Sequence, residues 1–125
     1  METKILIVDD EAHIRRLLER TLIDLEDEGV ELLIAEDGVM ALETIRAEKP
    51  ALVFLDVMMP KMNGIDVCQA VKHDVGLSSV RIVLLTAKGQ EIDRQRGKEV
   101  GADFYMTKPF DPDELLDLAR HIVGL

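Results

Sequence analysis

The chain has 125 residues, 47% of them hydrophobic, which is the size of one domain, so we predict a single folded domain over residues 1–125. A second folded domain has no room in a chain of this length. The formal net charge of -10 at pH 7 gives a field that repels nucleic acid and anionic membranes, so we expect direct binding to neither.

Five short apolar runs follow one another along the chain, and a helical pattern follows each run. The runs are nearly continuous in valine, isoleucine and leucine, a composition typical of parallel strands that are buried on both faces. Strand and helix in alternation predict an α/β fold, a doubly wound five-stranded parallel sheet with helices on both faces. The runs cover residues 4–8, 30–35, 51–55, 80–85 and 102–106.

Two helical segments carry clear signals. The first has one apolar stripe that should pack on the sheet. The last begins with Asp111 as a capping residue, then Pro112 and two acids, so we predict a helix that begins at Pro112. The stripe of the first segment comprises Ile14, Leu17, Leu18, Thr21, Leu22 and Leu25.

The predicted helix over residues 90–100 differs from the others because Ile92 and Val100 are its only large apolar residues. Gly97 lies in its interior, where glycine costs about 1 kcal/mol relative to alanine. We expect slight burial and low local stability for this helix. It is either an ordinary solvated helix or a mobile, functional one.

The cysteine content and the N-terminus bear on the cellular compartment. Cys68 is the only cysteine, so an internal disulfide is excluded and a reducing compartment is indicated. We interpret Cys68 as a small core residue on a helix. The first apolar run is interrupted at Asp9, which a signal peptide would not show. Apolar stretches fall short of the roughly 20 residues that a membrane-spanning helix needs, so we expect a cytoplasmic protein.

Polar residues follow four of the apolar runs: the pair Asp9 and Asp10, then Asp56, Thr86 and Lys108. The carboxyl ends of parallel strands share one edge of the sheet, so these residues should meet in one pocket. Three carboxylates at one place call for a cation, and Mg²⁺ prefers oxygen ligands. With a lysine beside them, the pocket has the charges needed for phosphoryl transfer to a carboxylate.

Four motifs resemble those of the response-regulator receiver domains of two-component signal transduction, the CheY-like superfamily. They are VDDE at residues 8–11, LDVMMPKMNG at 55–64, LTA at 85–87 and TKPF at 107–110. The resemblance spans nearly the whole chain and implies a flavodoxin-like sheet with strand order 2-1-3-4-5. It implies that Asp56 accepts a phosphoryl group from the phosphohistidine of a histidine kinase or from a small phosphodonor. The partners would be a sensor histidine kinase or phosphotransfer protein, and a downstream effector or a fused output domain.

The resemblance also assigns the metal ligands. Asp9, Asp10 and Asp56 would bind Mg²⁺ together with the backbone carbonyl of Met58. Lys108 would pair with the phosphoryl oxygens, and receiver domains typically hold the peptide bond that follows this lysine in the cis form.

Thr86 and Tyr105 would form the switch that follows phosphorylation in such a domain. Met58 and Lys88 occupy the two positions that influence attack of water on the phosphoryl group. Because neither side chain is suited to orient water, we expect slow self-dephosphorylation. In winged-helix regulators a GADD sequence and an arginine in the last helix support dimers, whereas this chain has Phe104 and Leu118 there.

Other functions are compatible with the same residues. The chain could be the receiver part of a longer regulator with an output domain. A metal-dependent phosphatase for small molecules would use the same aspartates, but the chain is too short for the cap that usually shapes its substrate pocket. A receiver-like scaffold that binds partners without phosphorylation would not need all these polar residues. We therefore expect a signalling domain whose only reactions are its own phosphorylation and dephosphorylation.

Overall fold

The computed structural model of the chain describes residues 3–87 and 91–125. Within them, five parallel strands form one sheet in the order β2-β1-β3-β4-β5, which confirms the predicted fold class and strand order. The strands are β1 (Thr3–Val8), β2 (Val30–Ala35), β3 (Leu52–Asp56), β4 (Arg81–Ala87) and β5 (Phe104–Lys108). The α-helices are α1 (Ala12–Leu22), α2 (Gly38–Glu48), α3 (Gly64–Lys72), α4 (Glu91–Glu99) and α5 (Pro112–Val123).

The ends of three strands lie later than the sequence predicts. Asp56, Thr86 and Lys108 are part of the strands rather than the loops after them, because the hydrogen-bonded ladder continues to Asp56 opposite Leu85 and to Lys108 opposite Ala87. A position in the ladder restrains the backbone more than a loop does. These three functional candidates therefore project from rigid backbone.

The core lies in two layers, one on each face of the sheet. On one face, alternate strand residues such as Leu6 and Val53 pack against α2 and α3. On the other, Ile5 and Phe54 pack against α1 and α5. Because the side chains of a strand alternate between faces, an apolar run buried on both sides fills both layers. The continuous apolar runs are explained by this arrangement.

The apolar stripe of the first helix is confirmed in part. Leu18, Leu22 and Leu25 are buried, but Leu17 is 41% exposed. One residue turns an α-helix by about 100°, so Leu17 lies on the flank of the face that Leu18 presents to the sheet. The α-helix ends at Leu22, and a 3-10 segment over Ile23–Glu28 carries Leu25 to the core.

Helix α5 begins at Pro112, as predicted. Asp111 caps it, since its carboxylate oxygen Oδ1 accepts hydrogen bonds from the backbone N–H of Asp113 at 2.9 Å and of Glu114 at 3.4 Å. Capping and the acids of the first turn stabilise the positive end of the helix. No helix in the described residues is both long and apolar enough to cross a membrane.

Gly97 of α4 has a packing role that was not predicted from the sequence. Gly97 is buried, and a methyl group there would overlap the side chain of Leu84 and lie 3.0 Å from the ring of Tyr105. The glycine thus permits close packing of α4 on the sheet. The expected slight burial is confirmed for most of the helix, because the following residues are exposed: Arg94, Gln95, Arg96, Lys98 and Glu99. Gln90 and the side chain of Ile92 lie outside the part of the chain that the structure describes.

Candidate functional site

Three carboxylates meet at the carboxyl edge of the sheet, as predicted. Asp9 follows β1 and is fully buried, Asp56 ends β3 and is 3% exposed, and Asp10 faces solvent. One carboxylate oxygen from each lies within 4.8 Å of those of the other two. An oxygen-only donor set of this size, with one open side, fits a hard divalent cation that keeps several waters.

Lys108 reaches the same cluster from the end of β5. Its Nζ lies 3.1 Å from Oδ1 of Asp56 and 3.3 Å from Oδ2 of Asp9, and its side chain is only 17% exposed. The peptide bond between Lys108 and Pro109 is cis, as the resemblance implies. The structure therefore brings together one cation and three acids from three separate strand ends.

The electrostatics of the cluster follow from its burial. Burial, with the neighbouring Asp9 charge, raises the pKa of Asp56 from 3.8 to about 6, and Lys108 offsets only part of this. Burial also raises the pKa of Asp9. Although burial disfavours the charged lysine, Asp56 and Asp9 outweigh it, so the pKa of Lys108 is raised. One lysine does not balance three acids, and further positive charge would be stabilised here.

Backbone and side-chain hydrogen bonds hold Asp9 in place. Its Oδ1 accepts from the N–H of Glu11 at 2.9 Å, and its backbone carbonyl accepts from Nη1 of Arg15 at 2.8 Å. Nη2 of Arg15 lies 3.5 Å from Oε1 of Glu36, which follows β2. Arg15 was not predicted from the sequence; its position one turn into the helix after two acids was the available signal.

Close backbone packing holds Asp56 in place. Gly64, the first residue of α3, donates its N–H to the carbonyl of Val57 at 2.9 Å. A methyl group on Gly64 would overlap the backbone carbonyl oxygen of Asp56. The N-terminus of α3 thus lies directly against the backbone of the phosphoacceptor candidate, a contact that only glycine permits.

The loop between β3 and α3 also rests on α2. A methyl group on Gly38, the first residue of α2, would overlap the backbone carbonyl of Met62. Asp37 caps α2 by accepting from the N–H of Met40 at 2.8 Å, and its other oxygen lies 3.5 Å from Nζ of Lys61. The loop that follows Asp56 is therefore fixed at its far end by α2.

The remaining predicted residues lie near this cluster. Thr86 is 4% exposed in β4 and pairs in the ladder with Thr107, but it makes no hydrogen bond to Asp56 within the described residues. Met58 is 62% exposed. Lys88 lies outside the described residues. Leu118 is partly buried against the layer of α1 and α5, and Phe104 is 37% exposed.

Tyr105 lies behind the cluster, on the face of the sheet covered by α4. Its hydroxyl is buried and has no hydrogen-bond partner among the described residues. Burial raises the pKa of this phenol. The guanidinium carbon of Arg94 lies 5.8 Å from the ring centroid, within range of a cation–π interaction. Both residues line an open groove of about 390 Å³ between β5 and the start of α5.

Comparisons with known proteins agree with this geometry. The chain is 51% identical over 120 residues to a probable transcriptional regulator, ycf27, of Pyropia yezoensis, covering 96% of the chain and 47% of the relative. It is 46% identical over 115 residues to the alkaline phosphatase synthesis transcriptional regulatory protein PhoP of Bacillus subtilis, covering 92% of the chain and 46% of the relative. The chain therefore spans about half the length of these relatives.

A solved structure gives the same fold. The chemotaxis response regulator CheY4 of Vibrio cholerae superimposes with a TM-score of 0.84 at 33% identity, covering 98% of this chain and 99% of that one. Residues 5–120 match the family model for the response regulator receiver domain. The motifs, the strand order and the acid cluster with its lysine thus agree with the match, and the chain belongs to the response regulator receiver domain family.

Proposed function

We propose that Asp56 accepts a phosphoryl group from the phosphohistidine of a sensor histidine kinase or phosphotransfer protein, or from a small phosphodonor. A carboxylate oxygen of Asp56 attacks phosphorus, the phosphorus–nitrogen bond breaks, and the imidazole leaves with its electron pair and takes up a proton. The product is an aspartyl phosphate. The observation that carries this proposal is the buried Asp56 carboxylate, 3.1 Å from the Lys108 ammonium.

The proposal includes Mg²⁺ at the acid cluster. Asp9, Asp10 and Asp56 would hold the ion with their carboxylates, and the backbone carbonyl of Met58 would complete the protein ligands. The ion supplies positive charge that stabilises phosphoryl oxygens. The fit rests on three carboxylate oxygens within 4.8 Å of one another.

Lys108 and Thr86 would bind the phosphoryl group once it is attached to Asp56. Lys108 would exchange its present carboxylate contact for a phosphoryl oxygen, and the Thr86 hydroxyl would donate to another. Hydrogen bonds to charged groups contribute about 1.5 to 3 kcal/mol each, so two supply about 3 to 6 kcal/mol. A change from 1:99 to 99:1 between two states needs about 5.5 kcal/mol. The site is thus strong enough to drive a nearly complete switch.

Movement of Tyr105 would transmit this switch to the surface that a partner binds. Tyr105 packs against the core and also lines the groove of β5 and α5. A phenol with an unpaired buried hydroxyl is not tightly held, since an unsatisfied buried group costs about 1 to 3 kcal/mol. We infer that movement of Tyr105 changes the shape of this groove when Asp56 is phosphorylated.

Membership of the receiver family supports the kind of partners that we propose. Members of this family are signalling domains of two-component systems and not enzymes in the usual sense. We propose that residues 1–125 form one receiver domain in the cytoplasm, which signals to a fused output domain or a separate effector. Its net charge of -10 argues against contact of this domain itself with nucleic acid or membrane. The phosphatase alternative is not favoured, because the family match covers residues 5–120.

The test is intact-mass spectrometry after incubation with acetyl phosphate and Mg²⁺. We expect one added phosphate on the parent protein, none on Asp56→Ala, and none when EDTA removes the metal. Asp66→Ala, which removes an exposed acid of α3, should be labelled like the parent. Decay of the adduct should take minutes or longer.

Two results would contradict the proposal. Labelling of Asp56→Ala to the same extent as the parent would exclude Asp56 as the acceptor. Continuous turnover of a generic phosphate ester without a stoichiometric adduct would instead indicate the phosphatase.

A further inference from the structure

Arg15 connects three segments around the acid cluster. It lies in the first turns of α1, where its own N–H donates to the carbonyl of Glu11 at 3.1 Å. Its guanidinium donates to the backbone carbonyl of Asp9 at 2.8 Å and lies 3.5 Å from the carboxylate of Glu36. The side chain is 15% exposed, far less than that of a solvated arginine. Helix α1, the loop after β1 and the loop after β2 therefore meet at one guanidinium.

The carbonyl that Arg15 holds belongs to the peptide that joins Asp9 to Asp10. This peptide links the two Cα atoms from which the carboxylates project, so the contact with Arg15 fixes where that backbone lies relative to α1 and the loop after β2. A second contact, from the N–H of Glu11 to Oδ1 of Asp9, fixes only the side chain of Asp9. Asp10 is exposed, and no side-chain hydrogen bond of the described residues holds its carboxylate. Its placement at the site therefore depends on the backbone that carries it.

We propose that Arg15 is a positioning residue for the metal site, and that with Glu36 it holds the Asp9–Asp10 peptide so that both carboxylates face the same cation. The inference rests on the proposed function, in which Asp9 and Asp10 bind Mg²⁺. Groups behind the ligands of a metal site typically account for 10- to 100-fold in metal affinity.

Whether removal of Arg15 weakens or strengthens Mg²⁺ binding distinguishes a positioning role from an effect of its charge alone. Arg15 is a cation near the acids, so if only its charge mattered, its removal would strengthen Mg²⁺ binding. If Arg15 orients the peptide, its removal weakens Mg²⁺ binding despite the more negative site. Arg16, the next residue of α1, is exposed and does not contact Asp9, so Arg16→Ala removes the same charge without removing that contact.

The experiment is a titration of the whole chain with MgCl₂, followed by the ¹H–¹⁵N NMR signals of the amides at Asp10 and Glu11. We expect Arg15→Ala to raise the Kd for Mg²⁺ about tenfold or more. The double variant Arg15→Ala/Glu36→Ala, which leaves the net charge of the parent unchanged, should show a similar loss. Arg16→Ala should bind Mg²⁺ as tightly as the parent or slightly more tightly.

The outcomes are distinguishable. Equal or tighter binding by Arg15→Ala, with normal binding by the parent, would overturn the inference and leave the proposed function intact. Recovery of the parent Kd in the double variant would show that Arg15 acts only by pairing with Glu36 and not by holding the Asp9 carbonyl, and would also overturn it. A parent that binds no Mg²⁺ would overturn both. Should Arg15→Ala fail to fold, Arg15→Lys keeps the charge but not the two-sided contact and should weaken binding several-fold.

Discussion

The surroundings of Asp56 disfavour a charged carboxylate, because Asp56 is buried beside another acid and paired with a single lysine. Burial disfavours its charged form, and its pKa rises to about 6. The same features suit a phosphoacceptor, because positive charge brought by a metal is stabilised and water is largely kept away. Burial of Asp56 thus disfavours its charged form, a cost that the proposed acceptor role would explain.

The raised pKa predicts how stability depends on pH. Between the ordinary value of 3.8 and about 6, the folded protein holds a proton on Asp56 that the unfolded chain has released, so the free energy of unfolding falls as pH rises through this range. Asp56→Asn stays neutral and avoids this loss. In EDTA, we expect the variant to exceed the parent by about 3 kcal/mol above pH 7 and to show a much smaller difference near pH 4.

Urea unfolding of both proteins at about pH 4, 6 and 8 measures this difference. Asp117→Asn, which neutralises an exposed acid in the middle of α5, is the control and should track the parent at every pH. A difference between Asp56→Asn and the parent that does not change with pH would contradict the assignment of the raised pKa to Asp56.

The loops at the carboxyl edge are held by helix N-termini that pack against backbone. Gly38 of α2 and Gly64 of α3 begin their helices in contact with backbone carbonyls, with no room for a Cβ atom. Neither contact depends on the conformational freedom of glycine, because neither residue is among those with positive φ. These helices thus serve as supports for the segment between Asp56 and α3.

Gly38→Ala should therefore destabilise the protein even though alanine favours helices. The methyl group would overlap the carbonyl of Met62, which is backbone and cannot turn aside, so we expect a loss of about 1 to 3 kcal/mol in the free energy of unfolding. Gly76→Ala is the matched control, since its methyl group would meet only a carboxylate oxygen of Asp74 at 3.3 Å. Urea unfolding of both variants tests the prediction, and equal losses would refute it.

The sequence predicted the elements better than it predicted their contacts. Apolar runs and the Asp111-Pro112 start of α5 are local signals, so the sheet, its helices and the first boundary of α5 were found correctly. Gly97 and Gly64 act through close tertiary contacts, with Leu84 and with the backbone of Asp56, and the sequence pattern carries no signal for these contacts. It was possible to predict that Asp9, Asp56 and Lys108 lie close together. The carboxyl ends of parallel strands share one edge of the sheet, whatever the residues of the strands are.

The molecule as a whole carries a formal charge of -10 on 125 residues. Self-repulsion of like charges disfavours the compact state. Salt screens this repulsion, since the Debye length falls from about 30 Å at 0.01 M to about 8 Å at 0.15 M. The acid cluster adds a local concentration of negative charge to this general field.

Stability at pH 7 should therefore rise with salt. From about 0.01 to 0.15 M NaCl we expect a gain on the order of 1 kcal/mol, or roughly 3 to 5 °C in Tm for a chain of this length. The gain should largely disappear near pH 4.7, the isoelectric point of the sequence. Thermal melts in EDTA measure it, and a salt effect of equal size at both pH values would show that self-repulsion is not its cause.

The contact between Lys108 and Asp9 joins residues 99 positions apart, and β5 is the last strand of the chain. An emerging polypeptide in which β5 has not yet been made has the three aspartates but not the lysine that lies beside them. The cluster of Asp9, Asp56 and Lys108 therefore forms only after β5 has docked. Under the proposed function, a chain cut before β5 would keep its aspartates but lack the lysine that pairs with Asp56.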